Sequence, residues 1–140
     1  MSTKHTRYGY MLSGDWMTVF KRREFARWQA DEKLADSALC KAVQEMESGL
    51  VDADLGGCLY KKRIARDGAG KSGGHLTLLS ARVGVRYVFL FGFAKSARAN
   101  ISVEEKKALR YASSVFLGLS PEALALAIQV GTLEEVNCDQ

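Results

Sequence analysis

The chain has 140 residues, 47% of them apolar, which suits one domain with one modest core. No stretch approaches the roughly 18 apolar residues that a membrane-crossing helix needs. The polar start MSTKHTRYGYMLSGDW lacks the apolar run of a secretory signal, so a cytoplasmic location with no membrane partner is expected. The net charge of +4 is unevenly spread: residues 1–60 sum to −1, residues 61–98 set nine basic groups against Asp67 alone, and residues 99–140 sum to −3. Cations this dense repel one another unless a polyanion offsets them, and nucleic acid is the polyanion expected.

Residues 1–15 read as an N-terminal extension, 16–132 as a single domain and 133–140 as an acidic C-terminal tail, frayed or a short strand. Met17 to Phe20 suits a short strand. A helix is predicted from about Lys21 to Leu34, with Phe25 and Trp28 three apart on its inner face. Asp36 is placed to cap a second helix. There Leu39, Val43, Met46 and Leu50 share one face, and Gly49 suits the C-terminal end.

The period then changes to that of strands. In LYKKRIAR (59–66), Lys61, Arg63 and Ala65 share a face with Leu59, and Lys62, Ile64 and Arg66 share the other with Tyr60, so the strand borders a charged surface. Residues 67–74 hold four glycines and read as a flexible loop. HLTLLSAR (75–82) and RYVFLFGFA (86–94) read as further strands joined by a turn at 83–85. The second is apolar enough to be buried on both faces, with Tyr87, Phe89, Phe91 and Phe93 alternating onto one side. Ser102 and Glu105 spell a capping box, Ser120-Pro121 opens a last helix, and Gly131 ends it. The order predicts a small α+β domain, a curved and mainly antiparallel sheet with the N-terminal and C-terminal helices on one face.

Two chemical readings are excluded or disfavoured. Gly70-Lys71-Ser72 ends like a phosphate-cradling P-loop, but Ala65 stands where the first glycine belongs, and a β-patterned stretch follows instead of the required helix. Nucleotide hydrolysis is therefore rejected, while Lys71 and the loop amides remain able to contact a phosphate. Cys40, Cys58 and Cys138 are widely spaced with no CxxC pair, so three reduced thiols are expected. With only His5 and His75 for company they suggest no metal and no cofactor.

Three stretches in this order, LVDADLGG (50–57), KKRIARDGAGKSGG (61–74) and GFAKSARANIS (92–102), resemble the RelE/HigB-type toxins of bacterial type II toxin–antitoxin systems. The resemblance covers roughly residues 17–118. It implies a compact RelE-like fold and a toxin that enters the ribosome and cuts mRNA without a metal. It also implies neutralisation by a cognate helix-turn-helix antitoxin, through which alone operator DNA is bound. Such cleavage needs a base for the 2′-hydroxyl, cations for the phosphorane and an acid for the leaving 5′-oxygen. Arginine suits the phosphorane, and lysine crowded by cations can exchange protons. Arg66, Lys71, Lys95 and Arg98 are the candidates for chemistry or close phosphate contact, Lys95 and Arg98 matching the family's basic pair. Lys61, Lys62, Arg63 and Arg86 are the candidates for RNA backbone contact. His75 is open between an RNA-facing proton-transfer role and a plain strand-start residue.

One position departs from the family pattern. An arginine that contacts the scissile phosphate is expected where this chain has Leu76. Losing such a donor costs about a hundredfold to a thousandfold by analogy with oxyanion holes, so either activity is reduced or a neighbouring group has taken over. The alternatives from other classes are a gyrase-poisoning toxin on the same fold and a non-catalytic module that binds RNA or antitoxin.

Overall fold

A computed structural model gives the fold. It describes residues 18–66 and 70–138, with the backbone alone at residues 66 and 70–73. The N-terminal extension expected at 1–15 lies outside the described residues. In chain order the elements are β1 (Thr18–Arg22), α1 (Arg23–Glu32), α2 (Asp36–Glu47), β2 (Ala53–Asp54), β3 (Leu59–Arg66), β4 (Gly70–Arg82), β5 (Arg86–Ala94), α3 (Val103–Leu117), α4 (Pro121–Gln129) and β6 (Leu133–Val136). The strands form one sheet in the order β2-β3-β4-β5-β1-β6. Neighbours are antiparallel except β1 and β5, which run parallel.

The helices cover both faces of the sheet, not one. Strand alternation explains the difference. Val19, Ile64, Leu79, Ala81, Tyr87 and Phe89 point to one side, where Phe25 of α1 and Leu39, Val43 and Met46 of α2 complete a core. Phe20, Leu59, Leu76, Leu78, Val88 and Leu90 point to the other, where Leu109 of α3 and Leu124 of α4 meet them. The apolar run of β5 is thus filled from both directions, as its composition predicts.

A register shift in β5 changes the aromatic row. Phe91 pairs with Leu78 but Phe89 pairs with Leu79, so β5 carries one extra residue there. Tyr87 and Phe89 therefore face α1 and α2, while Phe91 and Phe93 join the α3–α4 side. The four rings do not share a side as strict alternation predicts. Gly92 follows on the α1 side, where a Cβ would intrude on the Trp28 indole; glycine lets the two elements close on each other.

Several local expectations are met and others are corrected. Ser102 and Glu105 form the capping box, and Ser120 caps α4 with Pro121 in its first turn. Asp36 does not cap α2; Ala35 holds that position. The Asp36 carboxylate turns back to accept from Lys21 Nζ at 3.0 Å and Gln29 Nε2 at 2.8 Å. Burial works against that charge, but the bonds from Gln29 and Lys21 win and hold its carboxyl below the usual range. Leu50 lies past the end of α2 and is 58% exposed, so it is not part of the helix's inner face. The segment from Gly70 is strand, not loop, with Arg66 opposite Gly70 and Ile64 opposite His75. Residues 133–136 belong to the sheet, pairing with β1.

The cysteines also depart from expectation. Cys40 and Cys138 form a disulfide across a sequence separation of 98, and Cys58 alone remains a free, exposed thiol. The pairing follows from packing: β6 brings Val136 and Cys138 into the core cluster that α2 lines. Closing so long a loop restricts the unfolded chain, so Cys40→Ser or full reduction is expected to cost about 2–5 kcal/mol. Thermal unfolding with and without reductant checks this; an unchanged Tm would show that the bond contributes nothing.

Candidate nucleic-acid interface

The ends of β3, β4 and β5 meet at one side of the sheet. Ile64, His75 and Ala94 form a row across them, and the Lys95 amide continues it by donating to the Gly74 carbonyl at 3.2 Å. Arg66 and Lys95 therefore sit at the same end of the three strands by backbone position. The side chains of Arg66 and Lys71 lie outside the described residues, so only their backbone is placed.

On the α3–α4 face, two cross-strand rows lie side by side. One is Arg63–Leu76–Phe93 and the next is Lys61–Leu78–Phe91. The Arg98 guanidinium stands above this patch, 5.3 Å from the Phe93 ring centre and 5.9 Å from that of Phe91. Leu76 thus occupies the middle of a row with Arg63 on one flank and the Phe93–Arg98 stack on the other. It is 5% exposed and packs into the apolar cluster. Lys61 edges a small pocket of about 110 Å³ shared with Asn100, Ile101, Ser102 and Lys106. Lys95 is exposed just beyond the strand end.

Arg98 is held by more than its rings. Its Nε donates to the Asn100 carbonyl at 2.9 Å, Nη1 to Glu105 Oε2 at 3.1 Å and Nη2 to Glu105 Oε1 at 2.5 Å. Glu105 is the residue that completes the α3 capping box, accepting from the Ser102 amide at 2.7 Å. The Arg98 bond, followed by the Ser102 amide, pulls the Glu105 carboxyl down to about 2, and the same pair raises Arg98. The sequence pointed to Glu105 only as a cap; its role as the partner of Arg98 depends on where the loop after β5 returns.

Three candidates are corrected, two by burial and one by its position and partners. Lys62 points to the α2 face, 6% exposed, with Nζ 2.7 Å from Glu45 Oε1. His75 is 1% exposed, with Nε2 3.0 Å from Glu32 Oε1 and the ring edge-on to Trp28. Both are committed to internal partners, Lys62 instead of the expected RNA contact and His75 instead of either surface role left open for it. Arg86 lies at the opposite end of β5 and donates from Nη1 to the carbonyls of Phe116 at 3.0 Å and Leu119 at 3.1 Å, fastening the α3–α4 corner. Among the described residues no group of three or more His, Cys, Asp and Glu side chains is placed to hold a metal.

A small mixed sheet, helices on both faces and a cationic strand end are consistent with the class to which the sequence resemblance pointed. The profile described as RelE toxin of the RelE / RelB toxin–antitoxin system matches residues 17–136. The chain belongs to that family, and it is a toxin whose system includes an antitoxin partner. No curated protein matches it. No single helix among the described residues is long and apolar enough to cross a membrane.

The Arg98–Glu105 pair has a defined pH dependence. A depressed carboxyl stabilises the pair fully above its ordinary value of 4.5, and that contribution disappears as pH falls through about 2. Following the Glu105 carboxyl carbon by NMR should give a midpoint near the lower value; titration near the ordinary one would show that the pair does not form.

Proposed function

We propose that this toxin is a ribosome-dependent, metal-independent mRNA endoribonuclease. The observation that carries the reading is the convergence of Arg63 and Arg98 on the α3–α4 sheet face, with Lys95 and Arg66 brought to the same strand end by their backbones. The 2′-hydroxyl oxygen attacks the adjacent phosphorus as its proton passes to a base. The P–O5′ bond breaks, and the leaving oxygen takes a proton from an acid. Products are a 2′,3′-cyclic phosphate and a free 5′-hydroxyl. In this reading Arg98 and Arg66 offset charge on the phosphorane, and Lys95 and Lys71 exchange the protons. Lys61 and Arg63 hold the flanking backbone.

The antitoxin of this system is read as a helix-turn-helix protein, the ribosome supplies the mRNA, and operator DNA is reached through the antitoxin alone. Expression without antitoxin tests the function. Wild-type chain should inhibit growth and cut ribosome-bound message. Lys95→Ala and Arg98→Ala should each lower cleavage by about a hundredfold or more. Growth inhibition with intact message and a DNA-damage response would replace this reading with gyrase poisoning.

Leu76 lowers the activity further in this account. An aliphatic side chain between Arg63 and Phe93 places no donor where the phosphate is read to lie. Leu76→Arg should therefore raise cleavage while lowering stability, since the new guanidinium starts from a buried position. Equal or lower cleavage by a folded Leu76→Arg protein would refute the attenuation.

A further inference from the structure

We propose that Glu105 occupies, in the free toxin, the seat that an RNA phosphodiester takes on Arg98. The inference rests on the reading of Arg98 as a phosphate contact. A guanidinium has five N–H donors. Here Nε is spent on Asn100, and one donor each of Nη1 and Nη2 is spent on the two Glu105 oxygens. The remaining two donors sit on different nitrogens and point apart, so no two-oxygen ligand can engage both. A phosphodiester presents a pair of oxygens much like a carboxylate's, and it gains the end-on fork only by displacing Glu105.

The stand-in is built in. Glu105 is fixed independently of Arg98, because Oε1 accepts the Ser102 amide and the Ser102 hydroxyl accepts the Glu105 amide in return. Arg98 is fixed independently of Glu105, because it lies over Phe93 and Phe91 and donates to Asn100. Each partner therefore keeps its place when the pair between them opens, and the vacated seat borders the rows that carry Lys61 and Arg63, with Lys95 at the same strand end by backbone position. A lone phosphate gains little there over the internal carboxylate. A chain of phosphodiesters, which engages the other cations at once, gains more. The pair thereby sets a threshold that favours polynucleotide over small anions.

The test uses a single-stranded 2′-O-methyl oligoribonucleotide, which cannot be cleaved by 2′-hydroxyl attack. Its binding is measured by fluorescence anisotropy across a salt series. Wild type is compared with Glu105→Gln, Arg98→Ala and the double variant. Glutamine still serves at the third position of a capping box, and circular dichroism confirms that α3 is retained. Glu105→Gln should bind about three- to tenfold tighter, with a log–log salt slope steeper by about 0.7 for one more phosphate contact. Adding Arg98→Ala should erase the gain. Equal or weaker binding by Glu105→Gln overturns the proposal and makes Glu105 a positioning residue for Arg98; so does absence of RNA binding by all four proteins. Binding that follows this pattern in a chain that cleaves no message keeps the seat and removes the ribonuclease reading.

Discussion

The extra residue in β5 is the constraint on which the cationic site depends. Without it, Phe91 and Phe93 would continue the direction of Tyr87 and Phe89 and point toward α1 and α2. The bulge turns them to the α3–α4 face, where they provide the platform under Arg98. It also leaves Gly92 facing Trp28, so α1 closes on the strand where a side chain would have held it off. One local irregularity therefore sorts the aromatic rings between the α1–α2 core and the face that carries Arg98. Bulges beside functional sites commonly re-aim side chains in this way.

Charge around the sheet is divided by the same alternation. On the α1–α2 face, Lys62 is drawn inward and matched by Glu45, and the buried His75 ring hydrogen-bonds Glu32. On the α3–α4 face, Lys61 and Arg63 share one patch with Arg98, itself matched by Glu105. Consecutive residues 61, 62 and 63 thus have different fates although all are basic. A lysine as buried as Lys62 needs its carboxylate, because removing one member of such a pair leaves a charge with poor solvation. The run KKR is dense in the sequence but is split in space between internal pairing and the candidate interface.

Much of the fold was legible beforehand because its signals are local. The Ser102–Glu105 capping box, Ser120-Pro121, the inner face of α2 and the doubly buried β5 each depend on residues a few positions apart. Alternation likewise assigned Lys61 and Arg63 to one face and Lys62 to the other. What alternation lacks is the identity of what lies opposite each face, so the helices were expected on one side and Lys62 among the RNA contacts. Asp36 looked like a cap because its partners, Lys21 and Gln29, belong to another element. The Cys40–Cys138 bond was hidden for the same reason, since only the docking of β6 brings the two together. Of the candidate site, Arg63, Lys95 and Arg98 were placed by strand and loop patterns, whereas Glu105 as the Arg98 partner required the three-dimensional return of the loop.

The position of β1 has a consequence for the order of events in synthesis. It is the first described strand to be made, yet both of its neighbours come late: β5 begins at Arg86 and β6 at Leu133. A growing chain must therefore carry β1, with Val19 and Phe20 still uncovered, as a strand with open edges until most of the described residues have emerged. Pairings of such long range close slowly and expose sticky surface in the meantime. The hairpin of β3 and β4 and the adjoining β5 can assemble from neighbouring sequence long before then. Completion of the whole sheet thus waits on β6, and a nascent chain that has not yet released Leu133–Val136 holds β3, β4 and β5 paired while the far edge of β1 is still open.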